Sequence, residues 1–537
     1  MLTNSHSPIL GSDRKPLPGA VATSRANPNA TIEVTLKLRR KTALPPVTKR
    51  PDKILTREQL RDTYGANQSD IDTVVKTLGT FGLSLVRSST TTRSVRMRGT
   101  VAAMEAAFQV KLFNYTHSSG NYRGRVGRVH IPIELANIVQ GVFGLDNRQV
   151  ARRRRQPIRD DPHAKSGNVS TTWNLPSQFA AHYNFPPGDG TGQAVGLFEF
   201  GGGYFPSDLK QFCSMAKIPT PPTVTAVSAD GTPTNAKDGA EGEVMLDIEV
   251  VAGVCPKANI VVYFASWAEQ GWISNLDAAL NDATNNPGVI SISWGQAEDT
   301  DIWTASAMDQ INQSFQDAAN LGITICIAAG DDGSSDAVTD GVAHVDFPGS
   351  SPYALSVGGT TVTDLSPQQP DIVWFEGDGL RADQGGSTGG GVSAVFPLPV
   401  WQSGINIPSV NSGAIVGRCV PDISANADWN ASPYLLVVDG QPQGNGGTSA
   451  ASPLIASLLT LINQARAAAG KGRAGYITAE LYQSSTGGAG AGSAGCTDVT
   501  SGNNNTAQDG GYSAGAGYDA ASGWGTPNGV NLAQSLP

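Results

Sequence analysis

The chain has 537 residues, of which 15% are charged and 63 are Gly, with a formal net charge of −9. That length exceeds one ordinary compact domain and the composition is that of a globular, loop-rich protein, so two or three domains are expected. No apolar run reaches membrane-spanning length, and five cysteines without metal-type spacing exclude a disulfide framework.

The charge is split along the chain. Residues 1–170 hold 28 Lys+Arg against 12 Asp+Glu, a balance of +16, while residues 171–537 hold 9 against 34, a balance of −25. A basic segment often marks a nucleic-acid partner, but here the natural partner is the acidic remainder of the same chain. Two domains with different surfaces and no coupling are the alternative.

In chain order, residues 1–30 are polar and Pro-rich and are expected to be disordered, with no legible signal peptide. Residues 31–38 alternate like a half-buried strand, Thr56 to Gln59 form a capping-box pattern, 69–83 has a helical period, 85–100 is strand-like and 101–110 is a short helix. Residues 111–115 and 122–130 suggest a hairpin. These are the pieces of a ferredoxin-like α+β domain over 31–150. Residues 151–172, opening Ala151-Arg152-Arg153-Arg154-Arg155, cannot bury themselves and form an exposed basic linker expected to hold a processing site. From Trp173 onward the texture changes. Short apolar runs at 194–200, 260–265, 289–293, 323–329 and 354–357 alternate with helical stretches at 277–283 and 309–321, which predicts a doubly wound parallel sheet in an α/β domain spanning 173–537. Ligands of such sheets bind beyond the carboxyl ends of the strands, where Glu199, Trp294 and Asp331 fall.

The chemistry centres on Gly446-Gly447-Thr448-Ser449-Ala450-Ala451-Ser452-Pro453 and the apolar run after it. The glycines permit a tight turn and Pro453 suits an early helical position, so Ser449 falls at a helix N-terminus beside free backbone N–H groups. Serine there is ordinarily an N-cap. As a nucleophile it would need a base, and the acidic domain offers only His182 and His344, neither in a Gly-flanked setting. The better candidates are Glu243 and Asp247, four apart on one face of an otherwise apolar helix. Neighbouring carboxyls in a dry site cannot easily both ionise, so one keeps its proton and the other can act as base. Such pairs are ordinarily solvated faces, but this helix is expected to be buried. Asp331, in Ala329-Gly330-Asp331 after an apolar run, is either an Asx turn or an oxyanion donor that works only when protonated, which implies activity in acid.

Gly447-Thr448-Ser449 with Pro453, the Glu243–Asp247 helix, Ser293-Trp294-Gly295 and Ala329-Gly330-Asp331 resemble the sedolisins, the serine-carboxyl peptidases, and within them the kumamolisin branch. The resemblance implies a subtilisin-like catalytic domain behind a pro-domain, with Ser449 as nucleophile, Glu243 as base, Asp247 as its orienting acid and Asp331 as oxyanion partner. It also implies that Glu199 and Trp294 extend the hydrogen-bond network. Two departures stand out: Gly446, where Ser is frequent and glycine should only free the turn, and Asp332, whose carboxyl beside Asp331 is expected to raise the proton affinity of that residue. Gly- and Asp-rich C-terminal loops suit Ca²⁺. The resemblance implies one structural ion held by the Asp498 and Asp519 side chains and the carbonyls of Val499, Gly515 and Gly517.

The expectation is a secreted, acid-active endopeptidase made as a self-processing zymogen. It acts on proteins or peptides as a monomer, is held by its own pro-domain, and has no nucleic-acid or membrane partner. The rivals are a neutral Ser-His-Asp subtilase using His182 or His344, and a catalytically dead, calcium-stabilised binding protein.

Overall fold

The computed structural model describes residues 6–153, 173–383, 385–483 and 489–537. Most of the expected basic linker therefore lies outside the described residues.

At the front of the chain, strand Thr31–Leu38, helix Gln68–Gly79, strands Ser84–Ser89 and Ser94–Thr100, helix Val101–Phe108 and strand Val139–Phe143 follow one another. The second strand lies at one edge, beside the third, then the first, then the last, all antiparallel. That is the ferredoxin-like order. Thr56 closes the capping box with Gln59 ahead of a further helix, Arg57–Tyr64. The stretch expected as one strand over 85–100 is a hairpin, and strands Phe113–His117 and Gly120–Gly124 form the second hairpin.

Residues 6–30 are not the disordered tail their composition suggests. Strand His6–Pro8 pairs with His130–Pro132, and Val21–Arg25 pairs with Phe113–His117. Their order comes from distant partners: the backbone N–H of Ser306 donates to Gly11 O, and Arg14 is buried in an ion pair with Glu269 at 2.7 Å.

Behind this body, strands Thr223–Ser228, Asn259–Ala265, Ala194–Phe200, Val289–Ile292, Thr324–Ala328, Leu355–Thr361 and Ile423–Asn426 lie side by side in that order, all parallel. Side chains alternate across such a sheet. Val195, Leu197, Ile260, Val262 and Cys326 therefore enter one core, with helices Glu241–Val254 and Thr448–Ala468. Phe198, Phe200, Val261, Tyr263, Ile325 and Ile327 enter the other, with helices Glu269–Asn281 and Ala305–Asn320. Because both faces are covered, the strands read as unbroken apolar runs. All five cysteines are free thiols.

The two bodies meet through charge. Lys37 pairs with Asp277 at 2.8 Å, Arg40 with Asp317 at 2.9 Å, and Arg14 with Glu269, each cation from the front and each anion from the rear. The +16/−25 split is thus expressed as contacts, against the alternative of uncoupled surfaces.

Candidate active site

Helix Thr448–Ala468 begins five residues before Pro453. The turn into it needs Gly447, whose φ of 88° is left-handed. Gly446 does more than free the turn, because a Cβ there would stand 2.4 Å from Ala427 O. Pro453 has no N–H, so the carbonyl four residues earlier, that of Ser449, has no helical donor. Ser293 Oγ lies 3.2 Å from that carbonyl oxygen and 2.9 Å from both carboxyl oxygens of Asp247. One hydroxyl hydrogen cannot serve all three acceptors. Ser293 Oγ therefore shares its one hydrogen between the Asp247 carboxyl and Ser449 O, bridging the two.

The Asp247 carboxyl is raised well above the usual carboxyl range. Burial is the largest cause, and the charges of Glu199 and Glu243 add to it, outweighing the Ser293 hydrogen bond. Glu199 is likewise raised well above the usual carboxyl range by burial and by Glu243, against the indole N–H of Trp294, which donates to Glu199 Oε2 at 3.1 Å. Glu243 and Asp247, on the first turns of helix Glu241–Val254, and Glu199, on strand Ala194–Phe200, thus share one dry locality.

Asp331 follows strand Thr324–Ala328 and meets Thr448, the residue before Ser449. The backbone N–H of Thr448 donates to Asp331 Oδ1 at 2.8 Å, and the Thr448 hydroxyl lies 2.6 Å from the same oxygen. Ser449, Glu243, Asp247, Asp331, Glu199 and Trp294 are all fully buried, and contacts or mutual fields link them into one site.

Asp332, the second carboxyl after Asp331, is itself tied to a cation. Its oxygens accept from the backbone N–H and guanidinium of Arg381, at 2.9 Å from N and Nε, so although burial would raise it, Arg381 holds it down to about 2. Arg381 carries no motif and lies 49 residues away, so nothing in the sequence announces this. Ser293 was visible in its motif, but its bridging role was not.

Both histidines sit elsewhere in acidic cages. His182 Nε2 meets Asp371 at 2.9 Å and Nδ1 meets Ser366 O. His344 lies between Asp299 and Asp340, which overcome the effect of burial and raise it to about 9. A single base with one free lone pair facing a serine is absent from both.

In the C-terminal loops, Gly517 N–H donates to Asp498 Oδ2 at 2.8 Å and Gly515 N–H to Asp519 Oδ2 at 3.0 Å, so both carboxyls meet the same short loop. Burial raises the Asp519 proton affinity despite the N–H groups of Gly515, Ala521 and Ser522. That is the condition of a buried carboxylate that a cation would relieve. Among the described residues no group of three or more His, Cys, Asp or Glu stands together as a metal site, so an ion here would depend on backbone carbonyls.

A serine among carboxyls, on a doubly wound sheet behind a ferredoxin-like domain, defines a hydrolase of subtilisin-like architecture. The model of the pro-kumamolisin activation domain matches residues 18–148 and that of the subtilase family residues 225–525. Kumamolisin of Bacillus sp. (strain MN-32) is 39% identical, over 98% of this chain and 96% of that protein. Sedolisin of Pseudomonas sp. (strain 101) is 29% identical over 93% of this chain and 86% of its own length. The solved Pseudomonas sedolisin, a serine-carboxyl proteinase complexed with two molecules of pseudo-iodotyrostatin, superposes with a TM-score of 0.57 at 27% identity, covering 68% of this chain and 98% of its own. The chain belongs to the sedolisin, or serine-carboxyl peptidase, family, in its kumamolisin-like branch with an activation domain.

Proposed function

We propose that this protein hydrolyses peptide bonds in acid, with Ser449 as nucleophile, Glu243 as base, Asp247 as the acid behind it and Asp331 as oxyanion donor. Ser449 Oγ bonds to the substrate carbonyl carbon as its proton passes to the Glu243 carboxylate, and the new oxyanion is met by protonated Asp331. The proton on Glu243 then goes to the leaving amine, and water repeats the sequence on the acyl-serine. Glu199 and Trp294 continue the network that feeds Glu243. The observation that carries this reading is the Ser293 bridge, which ties the raised carboxyl of Asp247 to the main chain of Ser449.

The test is peptide hydrolysis across pH. Ser449→Ala and Glu243→Gln should each abolish it, while His182→Gln and His344→Gln should keep it. Histidine dependence would revive the neutral subtilase, and failure of a peptide aldehyde to label Ser449 would favour the dead binding protein.

The basic front domain acts as an intramolecular inhibitor through Lys37, Arg40 and Arg14, and protonation of their partner carboxylates in acid frees it for cleavage within 151–172. One Ca²⁺, held by Asp498, Asp519 and the carbonyls of Val499, Gly515 and Gly517, pins the C-terminal loops and has no part in bond cleavage. The protein works as an exported monomer. Export is supported by the acid chemistry proposed for the site.

A further inference from the structure

The strand Trp294–Ala297 leaves the candidate site from Ser293. One of its edges pairs with Asp346–Phe347, and the other carries the end of the front domain, with Arg152 opposite Gly295 and Arg153 opposite Trp294, antiparallel. The incoming chain therefore runs toward Ser293, and so toward Ser449. Once the front domain departs, this edge offers its N–H and C=O groups to another extended peptide in the same register, the usual mode of strand addition.

At the position opposite Gly295 the bound strand is read by a charge. The Arg152 guanidinium reaches Asp332 Oδ2 at 3.3 Å, a carboxylate that is itself fully buried. Asp332 also pairs with Arg381, so the Arg152 guanidinium joins as a second cation on a carboxylate that both cations hold ionised. The Arg152 side chain is 35% exposed, as expected for a group entering from the cleft.

We propose that Asp332 is a specificity-determining residue that selects an arginine or lysine side chain in the substrate, at the position lying opposite Gly295. The proposal rests on the peptidase reading of Ser449. It adds that the front domain holds its own cleft by an arginine that free substrates then replace.

The test uses enzyme matured from the full chain and internally quenched peptides. Arg, citrulline, Gln or Glu is placed in turn at each position upstream of a cleavage point fixed by mass spectrometry. Citrulline keeps the shape of arginine and removes its charge. At one upstream position, replacing Arg by citrulline should lower kcat/KM about threefold to tenfold, chiefly through KM, as expected of a partly exposed ion pair. Asp332→Asn or Asp332→Ser should bring that ratio close to one. Equal rates for Arg and citrulline at every upstream position, in an enzyme that cleaves, would overturn the proposal and leave the peptidase reading intact. Binding of the same peptides to the Ser449→Ala protein, followed by fluorescence polarisation, measures the discrimination without catalysis. A preference for Arg there supports Asp332 even if hydrolysis fails, and no preference sinks it.

Discussion

Replacing Ser293 with Ala would remove one oxygen and strand two groups. Pro453 has already deprived Ser449 C=O of its helical donor, and Ser293 supplies the substitute at 3.2 Å while holding Asp247 at 2.9 Å. All three residues are fully buried, so water does not fill the gap left by a hydroxyl. A buried polar group without a partner costs about 1–3 kcal/mol, and two of them about 2–5 kcal/mol. The Ser449 main chain would also lose its anchor, and small misplacements of a reacting group lower rates by up to about 100-fold. The hydrogen bond to Ser293 is the one influence that lowers the Asp247 proton affinity. Without it the carboxyl cluster should keep its next proton to higher pH, and the alkaline limb of the kcat/KM profile should move upward. Urea unfolding and a pH–rate profile on Ser293→Ala measure both effects. A midpoint equal to that of the native protein, with an unmoved alkaline limb, would show that the bridge holds neither group.

Asp277→Asn leaves Lys37, which burial already drives toward neutrality, without its counter-charge. Loss of a buried partner costs about 3–5 kcal/mol, so the full-length variant should process itself at higher pH than the native zymogen, and an unchanged processing profile would count against the electrostatic lock. Glu199→Gln should stabilise the folded protein near neutrality. The native carboxyl holds its proton far above the unfolded value, so stability is fullest below the unfolded pKa and is lost as pH rises; the gain should vanish in strong acid, and equal stability at both pH values would refute it. Chelation of calcium should lower the thermal midpoint. An ion present at about 100 times its dissociation constant stabilises by about 2.7 kcal/mol. The raised proton affinity of Asp519 makes the effect weaker in acid, and no chelator effect at any pH would remove the ion from the account.

What the sequence made legible follows range. The strands of the rear domain were visible because a parallel sheet covered on both faces forces local, unbroken apolar runs such as 194–200 and 323–329. Glu243 and Asp247 could be paired because helical spacing is local. The vacancy at Ser449 C=O was implicit in the four residues separating it from Pro453, but its donor, Ser293, is 156 positions away. Residues 6–30 looked disordered because their order is bought by Glu269, Ser306 and Val129, none of them a neighbour in sequence. The partner of Asp332 was hidden for the same reason. The neighbouring Asp331 was visible, whereas Arg381, which fixes the charge of Asp332, was not.

The two kinds of carboxyl in this protein answer acid differently. Glu199 and Asp247 are raised well above the ordinary carboxyl range because burial, and then neighbouring carboxylates with Glu243 common to both, outweigh the hydrogen bonds from Trp294 and Ser293. Asp332, equally buried, stays ionised down to about 2 because Arg381 faces it. Between those limits the site holds the protons that the chemistry needs while the neighbouring carboxylate still holds the charge that seats Arg152. Acid can therefore weaken the lock elsewhere without releasing the strand beside Ser293. A front domain that loosens while its last residues remain seated is the arrangement that favours cleavage within the chain over simple dissociation.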